Sequence, residues 1–185
     1  MTIQTSRFGT IAVGEGDILN FPEGLLGFTD LARFVLLDDP NDEIFAWLQS
    51  CEEPSIAFPI LEPELFIENF SLNLTKNDLK SLESTNETKA GLRPFCIITI
   101  PEDPTMMTAN LKAPVIVNVA QRLGRQCVLQ DNKLEIREPI FTRLQQRVVQ
   151  TNPISIKSKA VEWGVAVKLP ANHEAMLKRE PEVGV

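Results

Sequence analysis

Few side chains in this sequence could do chemistry, and their spacing does not favour it. His173 is the only histidine. No Ser–His or Cys–His pair can therefore form in the body of the chain, and a histidine-rich metal cage is excluded by count. Cys51, Cys96 and Cys127 are far apart and odd in number, and two of them sit in apolar runs. Buried free thiols are expected, not disulfides or a zinc site. Tyrosine is missing altogether, which removes phenolic acids. There is no Gly-x-x-x-x-Gly-Lys loop and no Gly-x-Ser-x-Gly elbow. Gly14-Glu15-Gly16 is a fragment of a dinucleotide pattern with an acidic residue where phosphate would approach. That leaves carboxylates, a pair of which can run acid–base hydrolysis. Ten of the 25 Asp and Glu residues stand next to a proline, in turns where solvated charge ordinarily sits. The sequence predicts a protein without catalysis, cofactor or metal.

Charge points the same way. The net charge is −7, but it is unevenly spread. Residues 1–138 carry 11 basic and 21 acidic side chains, and residues 139–185 carry 7 and 4. No basic residue occurs between Arg33 and Lys76. That interval holds Asp38, Asp39, Asp42, Glu43, Glu52, Glu53, Glu62, Glu64 and Glu68. An acidic surface repels nucleic acid and attracts basic proteins. Direct DNA or RNA binding is not expected. A chain of 185 residues is read as one domain with an appendage. It has no charged-then-apolar leader and no run approaching a membrane span, so a cytoplasmic protein without membrane contact is expected.

The elements that must position these residues are mostly short strands. Val115 to Val119 is a β-branched run with Pro114 at its start. Gly124 is read as the turn glycine of a hairpin, with a second strand following at once. Asn110 and Gln126 flank it as amides that satisfy nearby backbone groups. Further strands are expected over Ile3–Ser6, Gly9–Val13, Asp17–Asn20, Arg33–Leu37, Ile44–Gln49, Ser55–Ile60, Phe66–Leu74, Phe95–Ile100 and Lys133–Arg137. In the last of these, Leu134 and Ile136 should face inward. Thr75 or Asn77 should cap a helix through Leu82, and Thr29 or Asp30 a single helical turn. About ten short strands with one helix in the body predict an all-β fold, a small β-barrel-like domain over residues 1–138. Residues 139–185 form a C-terminal extension. It has a short helix over Thr142–Gln150, weak alternation over Ile154–Lys157 and a strand pattern over Val161–Leu169. The extension is expected to add a strand or shield an edge.

Several of these pieces together resemble a known family. They are Thr5-Ser6-Arg7-Phe8-Gly9, Phe21-Pro22-Glu23-Gly24-Leu25-Leu26-Gly27-Phe28, Phe45-Ala46-Trp47-Leu48-Gln49-Ser50, and Thr108 through Asn118 with Gly124-Arg125-Gln126. In this order and spacing they resemble the flagellar assembly factor FliW family over residues 1–138. The resemblance implies a non-enzymatic cytoplasmic barrel that binds flagellin. It also implies sequestration of the basic translational regulator CsrA, relieving repression of flagellin translation. The partner-binding candidates are Leu25, Leu26 and Phe28 as apolar contacts, Glu43, Glu52 and Glu53 as acidic ones, and Asn110 and Gln126 as structural amides. Two glycines and a proline put Phe21–Phe28 in turns. Its large apolar residues either fold back into the core or face a partner. The alternative function is a small-molecule or carbohydrate-binding barrel, including a carboxylate-dependent hydrolase. A cavity lined by convergent polar groups would mark it.

Overall fold

Strands that alternate between two apolar faces need cover on both sides, and that requirement shapes the chain. The computed structural model describes residues 1–42, 44–150 and 157–171. Its elements are β1 (Thr2–Thr5), β2 (Gly9–Ala12), β3 (Ile18–Asn20), β4 (Arg33–Asp38), β5 (Ala46–Ser50), β6 (Ala57–Leu61), α1 (Lys76–Ser81), β7 (Leu92–Thr99), β8 (Thr108–Ala109), β9 (Val115–Asn118), β10 (Leu123–Gln126), β11 (Glu138–Pro139), α2 (Phe141–Gln150) and β12 (Ala166–Lys168).

Seven of these strands close a barrel. The order runs β7-β6-β5-β4-β3-β10-β9, and β9 returns to β7 through Phe95↔Val115 and Leu92↔Asn118. All neighbours are antiparallel except at one seam, where β10 meets β3 in parallel at Leu123↔Asn20. Inward residues fill the barrel: Leu19, Phe34, Leu36, Leu48, Ile60, Phe95, Val115 and Val117 belong to one buried cluster. Seven strands leave an interior that side chains can fill, so this is a packed core and not a ligand chamber.

The outward residues of the same strands are apolar as well, and each group has its own cover. Val35, Leu37 and Trp47 lie under the β1–β2 ribbon through Ile3, Phe8 and Ile11. Leu61, Cys96 and Ile98 lie under Ile140 and Leu144, at and just before the start of α2. Ile116 and Leu92 lie under Leu79 and Leu82 of the α1 region. Helix α1 starts where its capping box dictates: Asp78 N donates to Thr75 Oγ1 at 3.1 Å and Thr75 N donates to Asp78 Oδ2 at 2.9 Å. Of the two expected caps, Thr75 is the one used.

The extension contributes to the fold. Ala160 and Val165 join the interior cluster, with Trp163 packed against it. Strand β12 runs parallel to β4, pairing Ala166↔Leu36, Val167↔Leu37 and Lys168↔Asp38. Strand β3 covers only Arg33 to Val35 on β4, so β12 carries on where β3 stops.

Several expected elements are absent. Phe66–Leu74 forms no strand: a 3-10 turn at Pro63–Leu65 and Asn69 at φ 56° break the extended path, and the segment wraps the barrel without a ladder. Lys133–Arg137 is turn and irregular backbone, and Ile136 is 64% exposed instead of facing inward. Thr29 and Asp30 lie in a turn closed by Leu31 N to Phe28 O, with no helix. Gly124 sits inside β10, not at the turn, where Arg122 takes the positive φ of 53°. The strand pattern over Val161–Leu169 condenses to Ala166–Lys168. Ile154–Ile156 and His173 lie outside the described residues.

Candidate functional site

The Phe21–Phe28 turn is docked on β10 by three consecutive residues, Gly124, Arg125 and Gln126. A Cβ on Gly124 would lie 2.2 Å from the Phe21 ring, so only glycine lets that ring enter the barrel. The turn itself needs Gly24, at φ 64°, where any Cβ would strike the Phe28 carbonyl. Arg125 reaches the other way. Its Nε donates to Asp78 Oδ1 at 3.1 Å, and its Nη1 donates to Ser81 Oγ at 3.2 Å and pairs with Glu23. One guanidinium thus joins turn, hairpin and helix α1. Burial opposes charge on Asp78, but donation from Thr75 and Arg125 outweighs it and holds that carboxyl below the usual aspartate range. Gln126 Oε1 accepts from Leu26 N at 2.9 Å, and its Nε2 donates to the Ala113 carbonyl at 3.0 Å. Asn110 Oδ1 accepts from Ala113 N at 3.0 Å, and Asn110 N donates to the Ile97 carbonyl at 3.0 Å. Both amides are spent on backbone groups, as their position beside turns suggested.

Around this arrangement lies a groove of about 430 Å³ at one mouth of the barrel. Five of the candidates converge on it: Leu25, Leu26, Phe28, Asn110 and Gln126. Phe28 and Phe58 meet edge-to-face at 5.3 Å and separate the groove from the core. The candidates do not play equal parts. Leu25 is 2% exposed and belongs to the interior cluster, so its side chain serves packing. Leu26 is 57% exposed, and Phe28 is partly buried. The Phe21–Phe28 turn therefore realises both expectations, with Phe21 and Leu25 inward and Leu26 outward. Val128 and Ile136 add exposed apolar surface, and Lys112 and Arg137 add positive charge to the same groove. These four and Phe58 were not anticipated as site residues. Phe58 reads as an ordinary strand residue, and Ile136 shares the parity of Leu134, which suggested burial. No sequence signal shows the chain leaving its strand there.

Glu52 and Glu53 stand at the same end, on the turn between β5 and β6. Cys51 N donates to the Arg33 carbonyl and Phe21 N to the Ala32 carbonyl, which puts both turns at one level. Arg33 Nε pairs with Glu52 at 3.1 Å, and Glu53 accepts from Ser55 Oγ at 2.8 Å. Glu43 lies outside the described residues. Its neighbour Asp42 belongs to the β4–β5 loop at the other end of β5, roughly 13 Å away at the usual rise per residue. The acidic interval is therefore split between two ends of the barrel. Asp42 is spent on structure, accepting from Ile44 N, Phe45 N and Trp47 Nε1, each at 3.0 Å.

Among the described residues, reactive groups are not gathered. Cys51, Cys96 and Cys127 carry no disulfide. Burial pushes the Cys127 thiol up to about 12 and the Cys96 thiol higher still, so neither offers thiolate near neutral pH. Among the described residues, no three His, Cys, Asp or Glu side chains could together hold a metal ion. Among them too, no helix is long and apolar enough to cross a membrane.

A closed seven-stranded barrel, clad on its outer faces and bearing a hairpin-docked apolar turn, defines a class of small barrel proteins with one furnished mouth. The chain belongs to the FliW protein family, whose model matches residues 2–140. It is 61% identical over 177 residues to the flagellar assembly factor FliW of Bdellovibrio bacteriovorus, covering 96% of this chain and 100% of that one. It is 39% identical over 140 residues to the flagellar assembly factor FliW of Leptospira interrogans, covering 75% of this chain and 92% of that one. A crystal structure of the flagellar assembly factor FliW superposes with a TM-score of 0.69 at 32% identity, over 76% of this chain and 97% of that one.

Proposed function

We propose that this flagellar assembly factor works by holding protein partners at the furnished barrel mouth, flagellin in the apolar groove and CsrA against the acidic rim. The observation that carries the reading is the groove itself. Leu26, Val128 and Ile136 are exposed around a floor of Phe28, Phe58 and Ile97, held in place by the backbone clamps of Gln126 and Asn110. Exposed apolar side chains gathered on a rigid mount fit an interface core, with charge at its edge supplying orientation. Lys112 and Arg137 suit an apolar segment that also carries acidic residues. Glu52 and Glu53, a few residues away along β4 and β5, suit a basic protein such as CsrA. Neighbouring sites on one mouth give a physical route for linkage. Flagellin in the groove lowers the affinity for CsrA, and CsrA on the rim lowers that for flagellin by the same factor. On this reading the protein acts in the cytoplasm, as a non-enzymatic regulator of flagellin synthesis.

The test separates the two contacts. Leu26→Asp and Val128→Asp should each weaken flagellin binding at least tenfold in calorimetry while leaving the thermal transition near that of the parent, since a desolvated apolar contact is replaced by charge. Leu25→Asp would report on folding instead. Glu52→Lys with Glu53→Lys should weaken CsrA and flatten its salt dependence. Parent protein that ignores both ligands at micromolar concentration, or CsrA binding insensitive to salt, overturns the assignment.

A further inference from the structure

The barrel mouth opposite the groove is finished by residues 157–169. Asp38 is almost fully buried and pairs with Lys157 Nζ at 3.1 Å. Glu62 is fully buried. Its Oε1 accepts from Ser158 Oγ at 2.6 Å and from Lys159 N at 2.9 Å, while Oε2 has no hydrogen-bond partner among the described residues. Lys159 Nζ approaches the exposed Glu64 at 3.8 Å. Ala160 and Val165 enter the top of the core, and Trp163 meets the Phe95 ring edge-on at 5.8 Å. Strand β12 then takes the β4 edge at Leu36–Asp38. Lys157 on Asp38, and Ser158 and Lys159 on Glu62, all belong to this segment. The family model stops at residue 140, so the mouth belongs to the shared barrel and its occupant to the extension.

We propose that this mouth is a second docking surface, suited to an extended lysine- or arginine-bearing segment of a basic protein, and that residues 157–169 occupy it in cis. The chemistry it offers is the Asp38 carboxylate, which takes a lysine ammonium, the buried acceptor Glu62, which takes a hydroxyl and a backbone N–H, and the β4 edge at Leu36–Asp38, which takes a strand. That is the chemistry of strand addition with charged anchors. The inference rests on the reading that this protein binds a basic partner. In this chain the segment acts as a tethered competitor, so whatever affinity this mouth adds to the contact at Glu52 and Glu53 is reduced by the fraction of time it is covered.

The test uses the full chain with CsrA as the probe. Saturating CsrA should speed amide exchange over Val165–Leu169. Val167→Pro, which breaks β12 without changing charge, should bind CsrA roughly tenfold tighter than the parent. Lys157→Gln with Lys159→Gln should do the same and serves where Val167→Pro does not fold. Lys80→Gln with Lys133→Gln, which removes equal charge elsewhere on the surface, should bind like the parent. Unchanged exchange over Val165–Leu169 with CsrA bound, together with parental affinity in the undocked variants, overturns the inference and leaves the wider reading intact. CsrA that binds neither parent nor variants sinks both.

Discussion

Glu62 shows how one side chain ties charge to architecture. Burial raises its pKa above the ordinary glutamate value, against the opposing donation of Ser158 and Lys159. The folded state therefore holds this proton more tightly than the unfolded chain does. Linkage then gives the sign: stability falls as pH rises from the ordinary glutamate value through the raised one, and is flat above it. Asp78 has the opposite sense. Its lowered pKa adds stability above the ordinary aspartate value, and that stability is lost as pH falls. Glu62→Gln should abolish the loss on the alkaline side in urea titrations run across mildly acidic to neutral pH. An unaltered pH profile would mean that Glu62 is not the titrating group. Neither effect could be read from the sequence, where Glu62 is one of nine acidic residues between Arg33 and Lys76.

Among elements, the hairpin and the Phe21–Phe28 turn were each recognisable alone, but their mating was not. The β-branched run at Val115 marked β9 correctly, and Thr75 marked the start of α1. Gly124 was legible as a special position for the wrong reason. A turn glycine and a glycine beneath an aromatic ring look alike in sequence, and only the Phe21 ring a hundred residues earlier distinguishes them. Gly124→Ala should therefore destabilise by about 1–3 kcal/mol through overpacking, not through backbone strain. A compensating Phe21→Leu should recover part of that loss, measured as shifted denaturation midpoints. Recovery would be absent if the glycine served the turn. The missed elements share a cause. Phe66–Leu74 and Lys133–Arg137 alternate as strands do, and both bury some apolar side chains, yet neither builds a ladder: Lys133–Arg137 meets its neighbour only at the Glu135 carbonyl, which accepts from Leu111 N and Lys112 N. Alternation reports a buried face, not a partner for the backbone.

At the scale of the molecule, the extension is the largest departure from a barrel over residues 1–138 with an appendage. Ile140 and Leu144 cover the outer face of β6 and β7, and Ala160 and Val165 complete the interior cluster. A chain ending at Glu138 should lose several kcal/mol, since each buried aliphatic residue contributes about 1.5–3 kcal/mol. A melting temperature equal to that of the full chain would return the extension to decoration. The sequence by itself determined the class of fold, the family, the buried thiols at Cys96 and Cys127, and the placement of apolar residues on alternating faces. These follow from local periodicity and residue chemistry. Tertiary structure alone decided that the barrel closes, that Leu25 turns in while Leu26 turns out, that the acidic interval splits between two ends, and that the lysines of the extension meet Asp38 and Glu64. Those outcomes depend on contacts between residues distant in the chain, and spacing along a sequence carries no record of which distant partners meet.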